Sequence, residues 1–293
     1  MTTHLPDRYF VVGHPVEHSL SPSIHAAFAR QTGQDLVYGR CLCPLDGFEA
    51  TVRALAADHA AGRVRGCNVT IPFKFEAAAL ARECSARARL AGAANVLCFD
   101  AEGWFADNTD GVGLMADLRR NEGIDLAGRQ VLVVGAGGAA AGVLGPLLES
   151  APGRVLVANR TASKAAELVR RHAPLAASRG VALDHCALHE LAPAAPAAGF
   201  DLLLNATAAS LSGESLPVPD RALATGWIAV DLMYGTPAAA FLAWARARSA
   251  SRAVDGLGML VEQAAEAFAL WRGVRPDTTA VLGSLRAAAG GRP

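Results

Sequence analysis

Short apolar runs recur along the chain and alternate with longer, alanine-rich stretches compatible with helices. "RYFVVG", "LVYGRCL", "CNVTI" and "ANVLCF" make a first series, between residues 8 and 99. A second series opens at "QVLVVG" (130–135) and continues through "RVLVAN" (154–159), "DLLLNA" (201–206) and "WIAVDL" (227–232). Strands alternating with helices predict an α/β chain with mostly parallel sheets, because parallel neighbours need a crossover between them. The second series has the form of a doubly wound nucleotide-binding sheet. After it, "DGLGMLVEQAAEAFALWRG" (255–273) predicts a helix with Leu260, Ala264, Ala267 and Leu270 or Trp271 on one apolar face. That helix has no strand of its own and must pack on something already built.

A length of 293 residues fits two domains better than one hydrophobic core. With 52% hydrophobic and 18% charged residues and equal numbers of acids and bases, the chain is neither disordered nor a polybasic nucleic-acid binder. The six cysteines, at 41, 43, 67, 84, 98 and 186, form no C-x-x-C pair and suggest free thiols in a reducing compartment. "MTTHLPDRYF" has no charged segment leading into an apolar core, so no signal peptide is read and a cytoplasmic location is expected. Val131 to Leu148 is uncharged and long enough to suggest a membrane span, yet it holds five glycines and a proline and reads as strand, turn and helix. The partners expected are a small-molecule substrate, with neither nucleic acid nor membrane, and with room for a homodimer.

"VLVVGAGGAAAGVL" places Gly135, Gly137 and Ala140 in the G-x-G-x-x-G/A pattern, directly after a strand and before a helix. There the glycines permit a tight turn, and the helix N-terminus presents unpaired N–H groups to a pyrophosphate. Ala136, Gly138 and Ala139 complete this Rossmann-like turn, and Pro146 is expected to kink the helix behind it. An NAD site usually carries an acid about 20 residues beyond the glycines. "ANRTASKAAEL" offers Asn159, Arg160, Thr161 and Lys164 instead, and Arg160 can stack on adenine or pair with a 2'-phosphate. NADP is therefore expected over NAD. The alternative is a solvated loop in which Thr161 or Ser163 caps the next helix, a role that phosphate binding does not exclude.

Four polar clusters interrupt the first half: "GHPVEHSLSPSIH" (13–25), "GCNVTIPFK" (66–74), "AGAANVL" (91–97) and "DNTDGVG" (107–113). Each falls where a strand ends or a helix begins, which is where open α/β sheets collect ligands. Each also has a purely structural account. Ser21 before Pro22 reads as a helix N-cap, Asp110 before "GVGLMADL" as another, and Lys74 as an exposed first-turn residue.

Taken with "GAGGAA", "NRT", "NAT" (205–207), "DLMYG" (231–235) and "DGLGMLVEQAA" (255–265), the clusters resemble the shikimate dehydrogenase family in order, spacing and wording over nearly the full chain. The resemblance implies a substrate-binding and catalytic domain over residues 1–110 and 256–293 and a Rossmann-like NADP domain over 111–255, with the C-terminal helix returning to the substrate domain. It implies reversible, NADP-dependent reduction of 3-dehydroshikimate to shikimate, in the chorismate pathway to aromatic amino acids. By it, Lys74 and Asp110 are the catalytic pair. Ser19 and Ser21 bind the substrate carboxylate, assisted by Tyr234. Thr70, Asn95 and Gln263 bind ring hydroxyls, with Asn68 beside them. Asn205, Ala206, Thr207 and Leu232 lie along the cofactor, and Gly256 and Met259 near its nicotinamide. Departures from the family pattern are Ala26, Ala106, Ser210, and Ala140 with Ala141 where a basic residue is frequent, which removes one phosphate contact.

Reducing a ring ketone by hydride transfer puts negative charge on its oxygen, which then needs a proton. An ammonium such as Lys74, oriented by the carboxylate of Asp110, stabilises that charge and helps supply the proton. No metal is called for, since the eight histidines are scattered, and His14, His18 and His25 read as loop and helix packing. Two rivals stay open on sequence: an NAD-using quinate/shikimate dehydrogenase, and a non-catalytic NADP-binding protein that has kept the fold.

Overall fold

A computed structural model describes residues 5–58, 62–100, 103–207 and 216–290. It divides into two compact units, one of Met1–Gly113 with Leu260–Pro293 and one of Leu114–Met259.

The first unit runs β1 (Asp7–Gly13), α1 (Ser21–Thr32), β2 (Leu36–Leu42), α2 (Phe48–Ala57), β3 (Val64–Val69), α3 (Lys74–Leu80), β4 (Glu83–Cys84), α4 (Ala86–Ala91), β5 (Val96–Cys98) and β6 (Phe105–Asp107). Its sheet has the order β2-β1-β3-β5-β6-β4. β1 lies parallel to both β2 and β3, whereas β5 runs against both its neighbours, so this sheet is mixed at its far side. Val12, Val69, Phe73, Leu97 and Phe48 belong to the core on one face, where Phe48 stacks on Phe73 at 5.0 Å. The chain leaves β1 for β2 on one side and reaches β3 on the other, so the carboxyl ends of β1 and β3 form a switch point where ligands can enter. Gly13 ends β1 there. A Cβ at this position would lie 2.2 Å from Cγ2 of Thr70, so only glycine lets the two strand ends approach this closely.

α5 (Asp110–Ala116) holds the boundary between the units and runs into a π-helical turn, Asp117–Asn121. The second unit continues through β7 (Gln130–Val134), α6 (Gly138–Glu149), β8 (Arg154–Asn159), α7 (Ala162–Ser178), β9 (Ala182–Ala187), α8 (Leu191–Ala194), β10 (Phe200–Asn205), β11 (Leu223–Asp231), α9 (Thr236–Ala247) and β12 (Arg252–Val254). All strand pairs of its sheet are parallel, in the order β12-β11-β10-β7-β8-β9, the doubly wound arrangement. β7 is almost wholly buried, as a strand covered on both faces must be. Val131 to Leu148 is thus a buried strand, a turn and a helix. No helix among the described residues is long and apolar enough to cross a membrane. α6 continues through Pro146, whose missing N–H leaves one turn of the ladder unbonded.

The last helices are α10 (Leu257–Arg272) and α11 (Thr279–Gly290), and from Leu260 on the chain belongs to the first unit again. The face of α10 that packs there includes the expected Ala264 and Ala267, both fully buried, and of the two alternatives at its end it is Trp271 that packs inward. Leu270 is 38% exposed, while Val261, Ala264, Ala265 and Phe268 are fully buried. Trp271 donates from Nε1 to the Leu97 carbonyl at 3.2 Å and stacks on Tyr9 at 4.6 Å, which ties the tail helix to β5 and β1.

Candidate active site

In the first unit the polar side chains cluster at the ends of β1 and β3 and at the start of α5. Lys74 opens α3, and its side chain is only 14% exposed, a half-buried cation and not a freely solvated surface lysine. Its Nζ lies 2.5 Å from Oδ2 of Asp110, whose side chain is 5% exposed. A pair so shielded from water survives only where its remaining hydrogen-bonding capacity is used. Asp110 meets that condition, because its Oδ1 accepts from Nδ2 of Asn95 at 2.9 Å. The carboxylate does not cap α5. Asp110 is the first residue of that helix, and its own N–H donates to Oδ1 of Asn108 at 3.1 Å.

Asn95 is the hub. Its Nδ2 also lies 2.9 Å from Oγ1 of Thr109 and 3.0 Å from Oε1 of Gln263, and its Oδ1 accepts from the Thr109 N–H at 2.8 Å. Gln263 in turn donates from Nε2 to the Leu260 carbonyl at 2.8 Å, so one carbonyl of α10 fixes the amide that faces Asn95. Asn68, at the end of β3, accepts from the Tyr38 hydroxyl at 2.6 Å and donates to the Asn95 carbonyl at 3.1 Å. Lys74, Asp110, Asn95, Gln263 and Asn68 are therefore one hydrogen-bonded assembly, buried apart from the half-buried lysine. Thr70 sits beside Gly13 with its side chain partly exposed, and its N–H is spent on the Val12 carbonyl at 2.9 Å.

Ser19 and Ser21 lie together, with hydroxyls 3.2 Å apart. Ser21 is not the cap of α1. That position falls on Leu20 with no side-chain bond, and Ser21 starts the helix with Pro22 behind it. The Ser21 hydroxyl is free of capping duty, while that of Ser19 accepts the Ser21 N–H at 3.3 Å. Arg40 holds the Ser19 carbonyl from Nη2 at 2.6 Å and fixes the loop that carries the pair. Of the departures from the family pattern, Ala26 is exposed on α1, Ala106 is buried in β6, and Ser210 lies outside the described residues.

Sequence reasoning passed over four contributors here. Thr109 and Asn108 stand inside the quoted "DNTDG", where the acid drew attention first. Asp107, in the same motif, accepts from both Nε and Nη2 of Arg87, at 2.7 and 2.6 Å, and from the Ser85 hydroxyl at 2.5 Å. Burial would raise its pKa, but the Arg87 fork and the Ser85 hydroxyl outweigh it and hold the carboxyl below the usual range. Tyr38, in β2, carries no motif signal at all.

In the second unit, Gly135 follows β7 with φ +116°, and a Cβ there would come within 2.8 Å of the Ala206 carbonyl oxygen. Only glycine fits between the ends of β7 and β10. Gly137 is exposed with nothing near its imagined Cβ, and the first main-chain bond of α6 runs from Ala141 N to Gly137 O at 3.0 Å. The N–H groups of Gly138, Ala139 and Ala140 precede that bond and suit a phosphate. Ala136 is buried beneath the turn. Thr207 donates to Oδ1 of Asn205 at 2.7 Å, and Ala206 N donates to the Val134 carbonyl at 2.8 Å, which locks "NAT" beside the glycine turn.

Asn159 ends β8 and donates to the Thr161 carbonyl at 2.9 Å, while Arg160, Thr161 and Lys164 stand exposed at the start of α7. Thr161 occupies the cap position without a side-chain bond. The exposed cations and the open helix start fit a dinucleotide carrying an extra phosphate. After β12, Gly256 donates to the Met233 carbonyl at 2.8 Å, in the loop that follows β11, and packs so closely that a Cβ would lie 2.4 Å from the Leu232 carbonyl oxygen. Met259 is buried one turn later, and Tyr234 lies half-buried in the loop after β11, within the second unit.

Comparison with known proteins places family models along the chain. Residues 11–97 match the shikimate dehydrogenase substrate binding domain, 117–212 the shikimate / quinate 5-dehydrogenase model and 256–286 the shikimate 5'-dehydrogenase C-terminal domain. The chain is 59% identical to the shikimate dehydrogenase (NADP(+)) of Methylibium petroleiphilum, over 96% of this chain and 94% of that one. Among solved structures it is similar to an Ael1 enzyme from Pseudomonas putida, at 43% identity and TM-score 0.81, covering 95% of this chain and 98% of that one. It is also similar to the shikimate 5-dehydrogenase of Thermus thermophilus, solved in complex with NADP(H) and shikimate, at 32% identity and TM-score 0.77, covering 96% and 99%.

Proposed function

Since this chain belongs to the shikimate dehydrogenase family, we propose that it interconverts shikimate and 3-dehydroshikimate with NADP as cofactor. The observation that carries the mechanism is the buried Lys74–Asp110 pair, held at 2.5 Å and anchored by Asn95. NADPH, when bound, supplies a hydride to the ring carbonyl carbon, and NADP takes it back in the reverse direction.

The chain's own residues do the rest. As the carbonyl carbon is reduced, its oxygen gains negative charge, and the Lys74 ammonium offers both a counter-charge and an N–H. The Lys74–Asp110 pair delivers the proton to that oxygen, and takes it from the alcohol when shikimate is oxidised. Asp110 cannot turn away, because Asn95 holds its second oxygen. The Ser19 and Ser21 hydroxyls suit a carboxylate, and Asn95, Gln263, Asn68 and Thr70 suit ring hydroxyls. A site built of fixed donors and acceptors discriminates strongly against analogues that lack a hydroxyl, because its own groups are then left unpaired. Tyr234 joins the carboxylate contacts in this reading.

The first unit is the substrate and catalytic domain and the second binds NADP, with Gly135 to Ala139 at the pyrophosphate and Arg160 and Lys164 at the 2'-phosphate. Asn205 to Thr207, Leu232, Gly256 and Met259 line the rest of the dinucleotide. Six free cysteines support a reducing, cytoplasmic setting. A homodimer is part of the same reading, supported by the exposed Val37 and Leu42 on edge strand β2. Initial rates with shikimate and quinate, each with NADP and NAD, test the reading. Shikimate with NADP is expected to give the highest kcat/KM, and preference for quinate with NAD would overturn it.

A further inference from the structure

Tyr38 is 9% exposed in β2 and meets the site described above through its hydroxyl, which donates to Oδ1 of Asn68 at 2.6 Å and has the Ser21 side chain as a second hydrogen-bond partner. The orientation of the Asn68 amide is not arbitrary. Its other end faces the main-chain carbonyl of Asn95 at 3.1 Å, and a carbonyl can only accept, so that end must be the nitrogen. Oδ1 is then turned to Tyr38, which must donate. Burial pushes the Tyr38 phenol well above its ordinary pKa, so the hydroxyl keeps the proton it donates.

The ring is fixed as firmly as the hydroxyl. His25 lies flat on it at 4.2 Å between centroids and 3° between planes, and Trp271 stands 6.3 Å away. Both ring nitrogens of His25 are buried without a hydrogen-bond partner, so the imidazole serves here as a packing surface. Its pKa is lowered to about 3 by burial, against a smaller opposing effect of Asn68, and the wall stays uncharged. With Oδ1 accepting from Tyr38 and one Nδ2 hydrogen on Asn95, the one donor Asn68 has left is its second N–H, beside the His25 ring.

We propose that Tyr38 is a positioning residue for substrate discrimination: with the Asn95 carbonyl at one end and the Tyr38 hydroxyl at the other, the Asn68 amide is held in place, so that its remaining N–H reads a ring oxygen as an acceptor. Without the phenol hydroxyl the amide keeps only its bond to the Asn95 carbonyl, and its plane is no longer held at both ends. The inference rests on the assignment of shikimate to the first unit, which the wild-type rate with shikimate and NADP checks beforehand.

The test uses Tyr38→Phe, which keeps the ring and its stack on His25, together with Asn68→Ala and the double variant. Each is assayed with shikimate and with two analogues, each lacking one of the two hydroxyls that are not oxidised. Tyr38→Phe is expected to raise KM for shikimate by about fivefold to tenfold, the usual scale for one lost buried hydrogen bond. KM for NADP should stay within about twofold, since uniform binding of the cofactor is untouched. The preference for shikimate over one of the two analogues should shrink by the same factor as KM rises. Asn68→Ala should erase that preference by itself, and adding Tyr38→Phe to it should change nothing more. An equal rise in KM for shikimate and both analogues, an unchanged KM, or additive effects in the double variant would overturn the role given to Tyr38. Failure of the wild type to oxidise shikimate would instead overturn the functional reading beneath it.

Discussion

Nδ2 of Asn95 lies 3.0 Å from Oε1 of Gln263, joining two residues 168 positions apart in the sequence. Through that contact the C-terminal helix completes a network that begins at Lys74. The same Asn95 nitrogen reaches Asp110, and its oxygen takes the N–H of Thr109. Asn95→Ala therefore leaves buried polar groups unpaired on three elements. We expect a loss of about 1–3 kcal/mol in urea unfolding, together with a fall in kcat/KM for shikimate that Asn95→Asp does not restore. A variant as stable and active as wild type would show that the network is decorative.

The close approach of β1 and β3 gives a reciprocal test. Gly13→Ala places a methyl 2.2 Å from Cγ2 of Thr70, an overlap expected to cost about 1–3 kcal/mol and to raise KM for shikimate. Thr70→Ser removes that methyl and keeps the hydroxyl, so the double variant should recover most of both losses. Additive damage in thermal unfolding would mean that the clash is not what demands glycine.

Arg160 stands exposed directly after β8, where the 2'-phosphate of NADP is assigned. Arg160→Ala should raise KM for NADP by roughly tenfold or more, the scale of a lost charge-assisted hydrogen bond, and leave KM for NAD nearly unchanged. Equal effects on the two cofactors would remove Arg160 from the phosphate site.

His25 makes stability depend on pH. Burial lowers its pKa from 6.5 to about 3, so between those values the unfolded chain binds a proton that the folded chain refuses. Stability is then full above the unfolded pKa and is lost as pH falls towards the folded one. Between pH 6.5 and 5 the loss from this residue is about 1–2 kcal/mol, a difference His25→Phe should abolish. Parallel stability curves for wild type and variant over that range, from urea titrations, would contradict it.

Much of this architecture was legible because burial leaves a strong trace in sequence. "LVYGRCL" and "RVLVAN" coincide with β2 and β8 to the residue, and the glycine turn after β7 stands where the fingerprint put it. β9 escaped notice because its burial pattern has few apolar residues to mark it, with His185 and Asp184 in its middle. β12 escaped because it is three residues long. The apolar face of the tail helix holds at Ala264, Ala267 and Trp271 and fails at Leu270. Leu270 looks apolar but faces out, while Phe268, at a spacing the pattern also allowed, is the residue that fills the core. Ser21 and Asp110 were open to a capping role because serine and aspartate before a helix usually cap it. Local spacing does not show that Asp110 is drawn instead to Lys74 and Asn95, contacts 36 and 15 residues away, and only the family resemblance paired it with Lys74. Tyr38 was invisible for the same reason, being a strand aromatic whose hydroxyl finds a partner 30 residues on.

The central claim is that the Lys74–Asp110 pair carries proton transfer during NADP-dependent oxidation of shikimate. Steady-state rates of wild type and Lys74→Ala with shikimate and NADP test it most directly. The account predicts a kcat lowered by about 100-fold to 10,000-fold, the range for a positioned acid–base group, with KM for shikimate within several-fold of wild type. Turnover by Lys74→Ala close to the wild-type rate would contradict it.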